Sequence, residues 1–148
     1  DTLREIAPIA LRTLAELDVS KVDQKALRVP HPYLQFQPVW VKWHEVYQKK
    51  GRDLLFFNAP NALLVVSQTG NDLDGALNAG HMELMINALG LGACFMGFGT
   101  LAFDMSNELK QRVGIQPGES VILMMIFGHP KIKYLRTVNR KKARYEKI

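Results

Sequence analysis

Leu3, Ile6, Ala7, Ala10, Leu14 and Leu17 recur at intervals of three and four residues, the spacing of one buried helical stripe. They predict an amphipathic helix over Thr2 to Leu17, with Pro8 in its second turn, close enough to the start to be tolerated. The pattern then breaks. Pro30, Pro32 and Pro38, with Tyr33 and Phe36 among them, predict a long irregular loop over residues 18 to 38, of a length often used as a lid or binding segment. Trp40, Trp43 and Tyr47 begin a short helix whose aromatic stripe either packs in the core or lines a cofactor or partner surface.

Beyond Gly51, the branched run Ala62 to Ser67 reads as a buried strand, ended by Gln68 to Asp72. Helical spacing resumes near Leu73, and Leu77, Leu84, Met85, Ala88 and Leu89 predict a long central helix stopped by Gly90. Asp72 and Asp74 stand where they would cap its first amides. A brief strand follows at Ala93 to Met96, then a turn at Gly97 and Gly99, then a short helix from about Asp104 to Val113 offering Leu109 and Val113 to the core. Pro117-Gly118-Glu119 is a turn, and Val121 to Phe127 is apolar at every position, as in a strand covered on both faces. These elements predict an α+β or layered α/β domain with helices on both sides of its sheet.

Length and composition agree: 148 residues, 47% hydrophobic, are enough for one compact core, and the run Val121 to Phe127 is far shorter than a membrane span. One cysteine excludes an internal disulfide and multi-cysteine metal sites, and makes the reducing cytoplasm the expected location. Charge is uneven. Lys131 to Ile148 hold eight basic residues and one acidic, a net +7, whereas residues 1 to 130 total −2. The basic balance belongs to a tail, which suits a local anion site better than a nucleic-acid-binding face.

Several chemistries lose support from spacing. His31, His44, His81 and His129 form no metal-ligand pattern, and His81 and Glu83, two apart, share no helix face. Ser67, Ser106 and Ser120 lack a nucleophile-elbow setting, and Cys94, between Ala93 and Phe95, reads as a buried small side chain. Gly90-Leu-Gly92 follows a helix, and so fails the dinucleotide fingerprint, and there is no phosphate-binding Gly-Lys-Ser or Gly-Lys-Thr. What remains is a long apolar helix, the run Gly90 to Gly97, a buried strand ending in Gly128 and a cationic tail, a set able to hold a flat cofactor and its phosphate.

In these residues the chain resembles the flavin-dependent nitroreductase family, including nitroreductase-like proteins associated with ferredoxin modules. The resemblance runs through Asn58-Ala-Pro60, Ala62 to Val66, Asp74-Gly75, Met82 to Ala88, Gly90-Leu-Gly92, Gly97-Phe98, Gly128-His-Pro130 and Arg136 to Lys141. It implies an α+β nitroreductase-like layered sheet covered by helices and a homodimer with FMN at the subunit interface. It also implies transfer of reducing equivalents from NAD(P)H through the flavin to nitroaromatic, quinone or related acceptors.

By the same resemblance, Met96 and Gly97 face the flavin, and Arg140, with Lys141 and Lys142 beside it, contacts the FMN phosphate. Met96 stands where some members carry a Glu, so no acid role passes to it, while Gly97 is left to supply a close amide contact. The chain opens on Asp1, without the family's Arg-x-x-Arg-like flavin-gripping segment, so residues 1 to 148 are expected to be a partial domain with a basic tail from about 131. The alternatives are an inactive relative acting as an interaction or flavin-carrier protein and, with less support, a nucleic-acid-binding module using the tail.

Overall fold

A computed structural model describes residues 2–23, 31–132 and 141–142. Helix α1 (Thr2–Ala15) buries Leu3, Ile6, Ala7, Ala10, Leu11 and Leu14, with Pro8 within it; it ends two residues before the predicted Leu17, which is only partly buried beyond it. The expected loop is partly ordered into short 3-10 turns at Val19–Lys21 and His31–Phe36, and residues 24–30 lie outside the described residues. Helix α2 (Gln37–Lys50) starts earlier than the aromatic stripe suggested, because Pro38 sits in its first turn, where a missing amide costs nothing. Gly51 closes it in the left-handed conformation, donating its N–H to the Tyr47 carbonyl.

Strands β1 (Asn61–Gln68), β2 (Gly92–Phe95) and β3 (Glu119–Gly128) form one antiparallel sheet in the order β1-β3-β2. β3 is central, and Met124 and Met125, which point to opposite faces, are both fully buried, as its unbroken apolar run predicts. The reading of Ala62 to Ser67 as a buried strand is corrected. β1 is an edge strand in which only Val65 is buried, and a bulge between Val65 and Val66 shifts its register against β3.

Helix α3 (Asp72–Ala88) covers one face of the sheet, whereas α1, α4 (Gly97–Met105) and α5 (Asn107–Arg112) share the core on the other. Two short helices therefore replace the single one expected over Asp104 to Val113. The break is at Ser106, whose backbone is extended and whose hydroxyl accepts the Leu109 amide as an N-cap.

The predicted stripe on α3 faces away from the protein. Gly75, Ala79 and Ile86 are buried, while Leu73, Leu77, Leu84, Met85 and Leu89 are exposed. Small residues let the helix lie close: a Cβ on Gly75 would stand 2.7 Å from both Cγ atoms of Ile122. Asn71, not an aspartate, occupies the N-cap position of α3, and Asp72 and Asp74 lie in its first turn, at the positive end of the helix dipole.

Candidate functional site: an aromatic pocket at the start of α4

The resemblance-derived residues Met96 and Gly97 come together at the junction where β2 becomes α4. Met96 donates its N–H to the Met124 carbonyl at 2.8 Å, the last tie to β3 before the chain turns into the helix. Thr100, one turn into α4, donates its hydroxyl to the Met96 carbonyl at 3.2 Å and accepts the Met124 amide at 3.1 Å. The expected turn at Gly97 and Gly99 is thus the first turn of a helix. Gly99 is required by close approach, since a Cβ there would stand 2.6 Å from Met124 Sδ. Gly97 presents bare backbone to the Tyr33 ring, whose Cε2 is 2.6 Å from where a Cβ would be.

Phe98 is the hub of an aromatic cluster. Its ring centroid lies 5.1 Å from Tyr33, 5.2 Å from Trp40, 5.5 Å from Phe36 and 6.0 Å from Trp43, the Tyr33, Trp40 and Trp43 pairs edge to face, the favoured quadrupolar arrangement. Trp40 is fully buried core. Trp43, Tyr33 and Phe36, with Phe57, Cys94, Phe95, Met96 and Gly97, wall a mainly apolar pocket of about 330 Å³. On α2, Trp40 therefore packs in the core while Trp43 lines a pocket. Tyr47 faces elsewhere, lining a more polar 510 Å³ cleft with Arg4, Asp53 and Asn58.

The expectation that Cys94 is buried is corrected: its edge strand leaves the thiol exposed in the pocket wall. Lys141 and Lys142 are exposed and are not among the pocket's lining residues, and Arg140 lies outside the described residues. Among the described residues, no three His, Cys, Asp or Glu side chains are grouped to hold a metal, and no helix is long and apolar enough to cross a membrane.

Sequence reasoning missed the loop that rims the pocket. Asp53 is 7% exposed, and its Oδ1 accepts the amides of Leu55 and Phe56, each at 2.9 Å, while Oδ2 accepts that of Asn58 at 3.3 Å. Phe57 and Asn58 both have left-handed backbones, at φ 56° and 53°. For a bulky residue such as Phe57 this conformation costs roughly 1–3 kcal/mol. An Asp two or three residues before a pair of amides is the available signal, because its carboxylate can gather them.

A three-stranded antiparallel sheet, covered on both faces by helices and opening at a strand-to-helix junction onto a ring-lined pocket, defines an α+β fold. Two solved structures share this fold. A nitroreductase with bound FMN from Desulfitobacterium hafniense superposes with a TM-score of 0.65 at 20% identity, over 99% of this chain and 70% of that one. A nitroreductase with bound FMN from Bacteroides fragilis gives 0.64 at 16% identity, over 96% and 67%. The chain has the nitroreductase fold, as the resemblance of its later segments implies. No protein-family model and no curated protein matches the sequence.

Proposed function

We propose that this protein is an FMN-dependent oxidoreductase that passes reducing equivalents from NAD(P)H to nitroaromatic, quinone or related acceptors. The observation that carries the reading is the Met96–Gly97 junction: within a nitroreductase fold, it opens bare backbone and the first turn of α4 onto a pocket walled by aromatic rings. The residues fit the ring of a flavin. Gly97 lies in the wall with Tyr33 packed against it, and the neighbouring walls are apolar and rich in rings, the lining a flat fused ring system needs. When bound, FMN supplies hydride-accepting chemistry at a fused ring system.

The chain's own contribution is positional. Thr100 locks the Met96 carbonyl to the β3 backbone, so the first-turn amides of α4 point in a fixed direction. Met96 carries no titratable group, so it orients and excludes water without moving a proton. Cationic residues suit a phosphate, and Arg140, with Lys141 and Lys142 as neighbours, is the proposed partner. An exposed lone thiol at Cys94 is compatible with a reducing cytoplasm.

The subunit arrangement is proposed as a homodimer. Leu73, Leu77, Leu84 and Met85 on α3, with Leu89 at its C-cap, are exposed large apolar residues of the kind that mark an interaction surface. A second copy of this chain is the proposed partner.

The test is the visible spectrum of cofactor released from the purified protein in denaturant, paired with FMN titration and NAD(P)H oxidation with a quinone acceptor. Flavin absorbance and acceptor-dependent turnover are expected, and Arg140→Ala should weaken FMN retention. A well-folded full chain that takes up no FMN overturns the reading in favour of a cofactor-free relative.

A further inference from the structure

Phe57 is the most exposed ring of the pocket wall, at 64%, and its backbone is left-handed at φ 56°. The Ala59 amide donates to the Phe56 carbonyl at 2.9 Å, closing a turn whose two central residues, Phe57 and Asn58, share that conformation. Such a turn favours Asn, Asp or Gly at both places, so Asn58 suits its position and Phe57 does not. The ring returns nothing to the core: Phe57 belongs to neither core cluster, whereas Phe56 beside it is fully buried in one. The free fold therefore carries two local costs at one residue, a strained backbone and a bare apolar ring.

The strained turn is held from beneath. Asp53 is buried; its Oδ1 accepts the amides of Leu55 and Phe56 and its Oδ2 that of Asn58, so one carboxylate ties the chain on both sides of Phe57. Three backbone donors on one anion fix the turn without help from the ring. Strain sustained in this way by its surroundings gathers at sites that clamp ligands. A flat ligand in the pocket covers the exposed ring and finds it already set in place.

We propose that Phe57 is a flavin-binding residue, an aromatic contact for the isoalloxazine ring, and that Asp53 is the positioning residue that holds it at the pocket. The choice of ligand rests on the FMN reading. Phe57 lies outside the Met96–Gly97 junction and the basic tail, the two places already assigned to the cofactor. At position 57, flavin binding and the stability of the free fold pull in opposite directions: a residue that suits the turn should steady the free protein and loosen the flavin.

The experiment titrates purified full chain, freed of flavin, with FMN and with lumiflavin, the same ring system without the ribityl phosphate, reading the quenching of flavin fluorescence. Phe57→Asn keeps the left-handed turn and removes the ring. It should bind both flavins about tenfold more weakly, the scale of one lost aromatic contact and its buried area. The factor should be the same for both, because the contact is to the ring. Without flavin, the same variant should unfold at a higher urea concentration than wild type. Phe57→Tyr keeps a ring and should hold both affinities within about threefold of wild type. Asp53→Asn should weaken both flavins, and the double variant with Phe57→Asn should lose no more than Phe57→Asn alone.

Undiminished affinity in Phe57→Asn, a loss confined to FMN, an equal loss in Phe57→Tyr, an unraised urea midpoint, or losses that add in the double variant would overturn the proposal. Wild type that holds FMN while Phe57→Asn binds both flavins as tightly sinks the ring contact alone. Wild type that binds lumiflavin through Phe57 but takes up no FMN sinks the FMN reading alone, and wild type that binds neither sinks both.

Discussion

The hydroxyl of Thr100 accepts the Met124 amide at 3.1 Å while donating to the Met96 carbonyl at 3.2 Å, so one buried side chain ties the central strand to the strand-to-helix junction. Both partners are backbone groups, and the Met124 amide has left the strand ladder to make this bond. Thr100→Val keeps the shape and removes the oxygen. It strands a buried donor and should cost about 1–3 kcal/mol in urea unfolding, whereas Thr100→Ser should recover most of the loss. FMN affinity should fall with Thr100→Val and return with the serine, because the same bond fixes Met96. A valine variant as stable as wild type would show that the bond contributes little.

The central strand and the α1 stripe were legible because each buries a regular apolar pattern, whereas the helix that starts at Gly97 was not, its glycines reading as a turn. Nor was the direction of α3. Its polar and apolar residues are mixed around the helix axis, and periodicity alone cannot say that Gly75 and Ala79, rather than Leu77 and Leu84, meet the sheet. What decides is contact distance: only small residues allow the helix to lie against Ile122. Cys94 and the Ala62 to Ser67 strand misled for a related reason. A three-stranded sheet has two edges, and apolar residues on an edge strand stay half exposed until something outside covers them. The left-handed turn at Phe57 was hidden altogether, since that backbone at a phenylalanine follows from the Asp53 hydrogen bonds around it and from no propensity of its own.

Gly75→Ala gives a direct measure of that close approach. Alanine improves helix propensity by about 1 kcal/mol over glycine, but the new methyl would meet three carbons of Ile122 at 2.7 to 2.9 Å. Ile122 is β-branched and stiff about χ1, so it cannot swing aside cheaply. Overpacking should win, with a net loss of roughly 1–2 kcal/mol in chemical denaturation. Combining it with Ile122→Ala should make the two effects non-additive, the double variant being more stable than the sum of the singles predicts. Simple additivity would mean that α3 shifts freely over the sheet.

Two ion pairs cross between α1 and α5: Arg112 donates to Glu5, and Arg12 to Glu108. Their side chains are about half exposed, so solvent screening limits each to under about 1 kcal/mol. Glu5→Gln should lower the melting temperature by only a few degrees at low salt and by less in 1 M salt. The helices are held by Leu11, Leu14 and Leu109 in the shared core, and Leu109→Ala should cost several times more, about 2–5 kcal/mol.

Asp18 gives a pH-dependent signal. Its carboxylate accepts from the Ser20 hydroxyl and the Ser20 amide and pairs with Lys21, and these bonds, the Ser20 hydroxyl foremost, hold its pKa below the ordinary aspartate value of 3.8. Because the folded value is depressed, the cap's contribution is present above the unfolded value and is lost as the pH falls through the folded one. In an NMR titration, the Ser20 amide shift should follow the Asp18 carboxyl, with a midpoint below 3.8. Ser20→Ala should move that midpoint upward, and an unmoved midpoint would assign the depression to Lys21.

The outward apolar face of α3 makes the strongest demand on a partner. Leu73 is 74% exposed and Leu84 64%, with Leu77, Met85 and Leu89 alongside, and one charge in the middle of such a face should be tolerated by the monomer but not by a buried interface. Leu84→Glu is therefore expected to leave the far-UV circular dichroism unchanged while sedimentation velocity at micromolar concentration shifts from a two-chain to a one-chain species. If flavin sits between subunits, the same variant should release FMN, and raising the protein concentration should restore both dimer and flavin by mass action. Wild type that sediments as one chain at all concentrations would remove the homodimer. Leu84→Glu that separates the subunits yet retains FMN would confine the flavin site to one chain, and the aromatic pocket beside Gly97 would then have to hold it unaided.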